Sequence, residues 1–231
     1  MNKGRRSSGG RAARREARTT QQIEFSRYIE RKIPNFELLD TEALEVIEHS
    51  AEVVLAEIGI KFPDNEYALS LWKDAGADVK GDLVKMPKGL ARSLCLTAPK
   101  SFTQHARSQT NNVEIGGKNL VCAPVYGPPF IRDLEGGRRY AEISDFEKLV
   151  KLAYMSKWVH HSGGTLCEPT DIPVNKRHLD MLFAHMTLSD KPYMGSVTAP
   201  ERAEDSVKMS EILFGKKFVN KNTVITSLIN I

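Results

Sequence analysis

The chain has 231 residues, 41% of them hydrophobic, and a formal net charge of +4 at pH 7. No apolar run approaches the roughly 20 residues that cross a bilayer, and no segment near the amino terminus has the apolar core of a secretory signal. These features exclude a helical membrane anchor from the expectations.

The charge is uneven. Residues 1–18 carry seven basic side chains against Glu16, which leaves the remaining residues mildly acidic. With little aromatic–basic interleaving, nucleic acid is not an expected partner. Cys95, Cys122 and Cys167 are widely spaced, odd in number and set in apolar contexts. They read as buried free thiols in a reducing cytoplasm.

Residues 1–20 hold no aromatic residue and no large aliphatic one after Met1, so a disordered basic tail is expected. Residues 33–109 read as a small α+β cap. Leu44, Ile47, Ala51, Val54, Leu55 and Ile58 share one face of a helix over 41–58. A second helix spans 64–75 and stops at Gly76. A Lys-Gly-Asp turn at 80–82 suggests a hairpin, and proline near a first turn opens a third helix over 87–96.

From residue 110 onward the pattern changes to alternation. Apolar runs at 120–125, 158–166, 193–197 and 224–229 are each closed by glycine, proline or small polar residues, and the first three lead into amphipathic helices. Ser144 with Glu147 fits a capping box for the first helix. Leu179, Leu182, Phe183 and Met186 mark the second. The third begins with Glu201, Glu204 and Asp205 and ends at Gly215, with Val207, Ser210 and Phe214 as its inner stripe. Strict strand–helix alternation predicts a parallel α/β sheet. Four such units are half of an eightfold (β/α)8 TIM barrel, which takes about 250 residues. The expected fold is therefore the N-terminal half of that barrel, preceded by the cap and the tail. A flat doubly wound sheet would alternate in the same way. An open half-barrel exposes two edges and its inner face, so self-association into a homo-oligomer is expected, and no activity from the isolated chain.

Chemistry in such barrels sits at the carboxyl ends of the strands. Those ends carry Tyr126, Gly163, Gly164, Thr165, Glu168, Thr198, Glu201 and Asn230. Tyr126 offers an aromatic face, and Glu168 and Glu201 a negative charge, to a substrate cation. Glu201 also suits plain helix capping. His160 and His161 point to opposite faces of a strand and do not share an ion, so no metal site is expected. The glycine pairs at 116–117 and 136–137 mark turns, the second within a hairpin, and no nucleotide fingerprint is present.

Several longer motifs carry a resemblance. They are Ser-Phe-Thr-Gln-His-Ala-Arg at 101–107, Ala-Pro-Val-Tyr-Gly-Pro-Pro-Phe at 123–130 with Arg132 and Asp133, and Gly-Gly-Arg-Arg-Tyr at 136–140. His-Ser-Gly-Gly-Thr at 161–165, Pro-Val-Asn-Lys-Arg-His at 173–178 and Gly-Ser-Val-Thr-Ala-Pro-Glu-Arg-Ala at 195–203 complete the set. Together with Arg-Ala-Ala-Arg-Arg at 11–15, the chain resembles the trimethylamine–corrinoid protein methyltransferase family. The resemblance implies a barrel that moves a methyl group from a methylated amine to the cobalt of a corrinoid carried by a partner protein, with no cofactor bound directly. Family members acting on trimethylamine carry pyrrolysine; relatives without it act on quaternary amines such as glycine betaine. On this reading Tyr126, Glu168 and Glu201 steady the substrate cation. Gly163, Gly164, Thr165, Thr198 and Asn230 leave room for the corrin face. A half-barrel that only binds the corrinoid protein is the competing expectation.

Overall fold

The computed structural model describes residues 26–229. The expected basic tail and Asn230 lie outside them. Two compact units result: residues 32–100, and residues 26–31, which carry strand β1 (Ile29–Glu30), with 101–229. No helix among the described residues is long and apolar enough to cross a membrane.

In the smaller unit, Asp40 accepts from the Ala43 amide and starts α1 (Thr41–Val53), which runs into a wider turn over Val54–Ile58 and stops at Gly59. Asn65 caps α2 (Glu66–Asp74) in the same way. Strands β2 (Ile60–Lys61), β3 (Asp78–Lys80) and β4 (Leu83–Lys85) form an antiparallel sheet in the order β2-β4-β3. Gly81, at φ 60°, makes the hairpin turn. Helix α3 (Leu90–Cys95) follows. Ala77, Val84 and Met86 form the buried core, packed by Leu55, Phe62 and Trp72. Cys95 is exposed, contrary to the expectation of a buried thiol, because it borders an open groove with Ala51, Leu55 and Ala91 that nothing in this unit fills.

The larger unit opens with β5 (Ser101–Gln104), β6 (Val113–Gly116) and β7 (Asn119–Leu120), an antiparallel sheet that β1 completes at one edge. The hairpin β8 (Phe130–Asp133) and β9 (Gly137–Tyr140) follows. Helix α4 (Ile143–Met155) is capped two residues earlier than the expected Ser144 box. Its cap is Glu142, paired reciprocally with Asp145. Arg139 grips the buried Asp145 through both terminal nitrogens, at 2.6 and 2.8 Å, and holds its carboxyl well below the usual range. Then come α5 (Arg177–Leu188), β10 (Tyr193–Met194), α6 (Pro200–Phe214), the short α7 (Lys216–Val219) and β11 (Ile225–Thr226).

Two features of the alternation differ from expectation. Among the described residues, only β10 and β11 form a regular parallel ladder. The runs at 120–125 and 158–166 are largely irregular, since Pro124, Pro128 and Pro129 lack amide donors and Gly163 sits at φ 87°. Backbone bonds still link the four runs in sequence order. His160 N donates to Cys122 O (2.8 Å), Met194 N to Gly163 O (2.8 Å) and Gly195 N to Thr226 O (2.8 Å). In α6, Ser210 and Phe214 face inward as expected, but Ser206 takes the place of Val207. Ser206 and Ser210 are buried, whereas Val207 is exposed.

Candidate functional site at the strand ends

Alternation along the third run sorts its side chains into two faces. Tyr193 packs with Leu182 and Met186 of α5, and Met209 and Leu213 of α6 lie against the same cluster. A Cβ on Gly195 would meet Ser206 of α6 at 2.8 Å. These two residues therefore face the helices. Met194 and Ser196 face the other way, and there Tyr126 arrives from the first run. Its hydroxyl lies 3.6 Å from Met194 Sδ.

Gly164 makes this meeting possible. A Cβ at Gly164 would lie 2.7 Å from the Tyr126 hydroxyl and 3.1 Å from Met194 Cβ, so any side chain there displaces the phenol. Gly163 likewise leaves space for Pro124 and Leu166. The room freed by these glycines is filled by the chain's own side chains. Tyr126 keeps 41% exposure, and burial of the rest raises its pKa, so the phenol stays neutral.

The remaining expected residues lie in separate settings. Thr165 gives its carbonyl to the Gly127 amide at 2.8 Å. Thr198 accepts from Arg202 Nη1 at 2.9 Å and touches Ser196 Oγ at 3.4 Å. Glu168 is half exposed and takes Arg177 Nη1 at 3.3 Å, so its charge already has a partner. Glu201 is exposed in the first turn of α6, where a carboxylate offsets the helix dipole. The structure brings together Tyr126, Gly164 and Met194; it does not place Glu168 or Glu201 in hydrogen-bonding contact with them.

Beneath this surface runs a buried polar network. Gly163 N donates to His161 Nδ1 at 2.9 Å, so His161 carries its proton on Nε2 and donates to Gln104 Oε1 at 3.1 Å. Gln104 Nε2 then donates to Tyr193 O at 2.9 Å, and Thr226 Oγ1 donates to Gln104 Oε1 at 3.3 Å. One amide thus ties the second, third and fourth runs to β5. His185 Nε2 donates to Gly164 O at 2.7 Å and its Nδ1 accepts from Ser162 Oγ at 2.6 Å. Burial pushes His161 down to about 3 and His185 to about 4. Both rings are therefore neutral supports rather than bases, and the Ser162–His185 pair holds α5 against Gly164. His160 accepts from the Cys122 amide through Nδ1, away from His161. Met194, Gln104 and Arg202 were absent from the sequence-derived site. The alternation of Met194 with Ser196 was the available signal for the first; the other two depend on contacts between distant segments or on a loop conformation.

A tyrosine framed by glycine and methionine at the ends of aligned runs defines an α/β protein with a candidate small-ligand surface. The chain matches the trimethylamine methyltransferase (MTTB) family over residues 6–231, and it belongs to that family. It is 44% identical over 199 residues to a glycine betaine methyltransferase of Desulfitobacterium hafniense (strain Y51), covering 86% of this chain and 41% of that protein. It is 29% identical over 165 residues to a proline betaine:corrinoid methyltransferase of Eubacterium limosum, covering 69% of this chain and 33% of that one. The chain thus spans less than half the length of either relative.

Proposed function

We propose that this chain forms the first half of a (β/α)8 barrel that transfers a methyl group from a quaternary amine of the betaine class to the cobalt of a partner protein's corrinoid. The observation that carries the reading is the 44% identity to a glycine betaine methyltransferase across 86% of the chain. The sequential bonding of the four runs supports the barrel.

In this reading the chain's residues position and shield. Tyr126 presents a neutral aromatic face to the trimethylammonium group, an attraction worth about 0.5–2 kcal/mol. Gly164 and Met194 fix the ring. Arg202, held on Thr198 and without a carboxylate partner among the described residues, takes the betaine carboxylate. Thr165 and Thr198 border the approach of the corrin, while Gly163 and Gly164 act indirectly by seating Pro124 and Tyr126. Reduced cobalt on the partner supplies the nucleophile, so this half needs no acid–base group; it aligns the methyl and excludes water.

The test joins these 231 residues to the portion of the glycine betaine relative that they do not span. Replacing Tyr126 with Ala in that enzyme should raise KM for glycine betaine about tenfold or more. An unchanged KM and kcat would remove Tyr126 from the site.

A further inference from the structure

The hairpin β8–β9 has two unlike faces, because residues directly opposite across an antiparallel pair share a face. Ile131 stands opposite Arg139, and this face is held down: Ile131 packs on the core cluster of Ala141 and Phe146, and Arg139 grips Asp145. The other face carries Phe130 opposite Tyr140 and Arg132 opposite Arg138. The two rings lie 4.6 Å apart, and the Arg138 guanidinium sits 4.1 Å over the Phe130 ring. Arg132, Arg138 and Tyr140 are exposed, as is Leu134 at the tip.

Like charges placed directly opposite each other in a sheet are destabilising. Arg132 and Arg138 stand so, and neither makes an ion pair among the described residues; the paired arginine of the hairpin is Arg139. Asp133 is committed to the turn amides of Glu135 and Gly136 and to Arg139. The outward face therefore keeps two uncompensated cations beside two rings, a repulsion that an incoming carboxylate relieves through charge-assisted hydrogen bonds. Tyrosine and arginine are also the side chains that dominate binding at protein interfaces. The hairpin follows directly on the Tyr126–Pro129 segment. Its base is tied to the loop after the second run, where Ala141 N donates to Pro129 O at 2.9 Å and Thr170 N to Ala141 O at 2.8 Å.

We infer that the outward face of this hairpin, built from Phe130, Arg132, Arg138 and Tyr140, docks the protein that carries the corrinoid, which meets it with a carboxylate-bearing surface. The inference rests on the methyl-transfer reading, since that reaction is what brings a protein partner to the strand ends beside Tyr126. The inner face supplies the rigidity: its anchorage to Asp145 and the core holds the two arginines in place before the partner arrives.

Arg132→Glu tests this without unfolding the hairpin, because it turns the like-charge pair into an opposite-charge one, and Tm should not fall. In the joined enzyme the variant should raise KM for a reduced corrinoid protein about tenfold or more. Methylation of free reduced cobalamin, which needs no docking face, and KM for glycine betaine should stay within about twofold. Added salt should raise the parent enzyme's KM for the corrinoid protein and change the variant's little. An unchanged KM for the corrinoid protein, with normal turnover, overturns the docking face and leaves methyl transfer standing. Equal losses with both acceptors also overturn it, since they mark damage to the site rather than to docking. A dimer of the joined enzyme that Arg132→Glu dissolves would give the face to a second copy instead. A parent enzyme that methylates neither acceptor fails the methyl-transfer reading, and the docking face falls with it.

Discussion

Gln104 and His161 meet through a 3.1 Å hydrogen bond although 57 residues separate them in the chain. Neither side chain reaches solvent to a useful degree, and every polar atom of the Gln104 amide is used. The bond joins the antiparallel sheet that opens the unit to the second of the four runs. It makes that sheet part of the same cooperative structure as the candidate site.

Replacing Gln104 with Leu should therefore destabilise the larger unit by about 3 kcal/mol, since it leaves the Nε2–H of His161 and the Tyr193 carbonyl buried without partners. Urea denaturation followed by circular dichroism measures the loss. A change below about 0.5 kcal/mol would show that water reaches these groups.

Stability should fall as pH drops below about 6.5. His161 and His185 are held neutral in the folded chain, down to about 3 and about 4, while the unfolded chain takes up their protons near 6.5. The unfolded state thus binds more protons in that window, and each ring weakens folding by about 1.4 kcal/mol per pH unit until its folded value is reached. His160 is shifted in the same direction by burial and the nearby Lys191. Denaturation midpoints at pH 7, 6 and 5 provide the check; a flat profile contradicts the buried neutral rings.

The glycines of the site differ in kind. Gly127→Ala places a Cβ 1.7 Å from the Leu166 carbonyl oxygen, a backbone atom that has no room to retreat. It should be the most damaging of the series, at more than about 3 kcal/mol. Gly164→Ala meets the Tyr126 hydroxyl at 2.7 Å, a side-chain end free to swing outward. It should cost about 1–3 kcal/mol of stability and mainly displace the phenol. Thermal unfolding of the two variants separates these outcomes, and equal losses would contradict the assignment.

Glu168→Gln should change stability by less than about 1 kcal/mol, because the Arg177 pair is half exposed. In the joined enzyme it should also leave KM for glycine betaine within about twofold. A tenfold rise would return Glu168 to the cation site.

Lys191 is buried and donates to the carbonyls of Ala153, Ser156 and Val159 beyond and within the last turn of α4. Lys191→Met removes a cation from a helix C-terminus and leaves three acceptors short of a donor. The expected loss is about 2–4 kcal/mol by chemical denaturation; a neutral effect would contradict this role.

The helices were legible because amphipathic spacing is a local signal: Leu179, Leu182 and Met186 mark α5, and Gly215 ends α6 where a left-handed φ of 86° is required. The first two runs were not legible as they stand. Hydrophobicity alone reads 120–125 as a strand, but the ladder is broken by Pro124 within the run and by Pro128 and Pro129 just after it. Tyr126 was within reach of sequence reasoning because it ends an apolar run before Gly127 and Pro128. The ion pair of Glu168 was not legible: Arg177 lies only nine residues away, but pairing requires the loop to fold back onto the start of α5. Gln104 offered no local signal at all, since its partners lie 57 to 122 residues away.

The most direct test of the account is a methyl-transfer assay on the joined enzyme, with a reduced corrinoid protein as acceptor and glycine betaine or trimethylamine as donor. The account predicts methyl-cobalt formation from glycine betaine, seen as the change in the corrinoid absorption spectrum, and little from trimethylamine. A folded enzyme that methylates cobalt from trimethylamine and not from glycine betaine would contradict it.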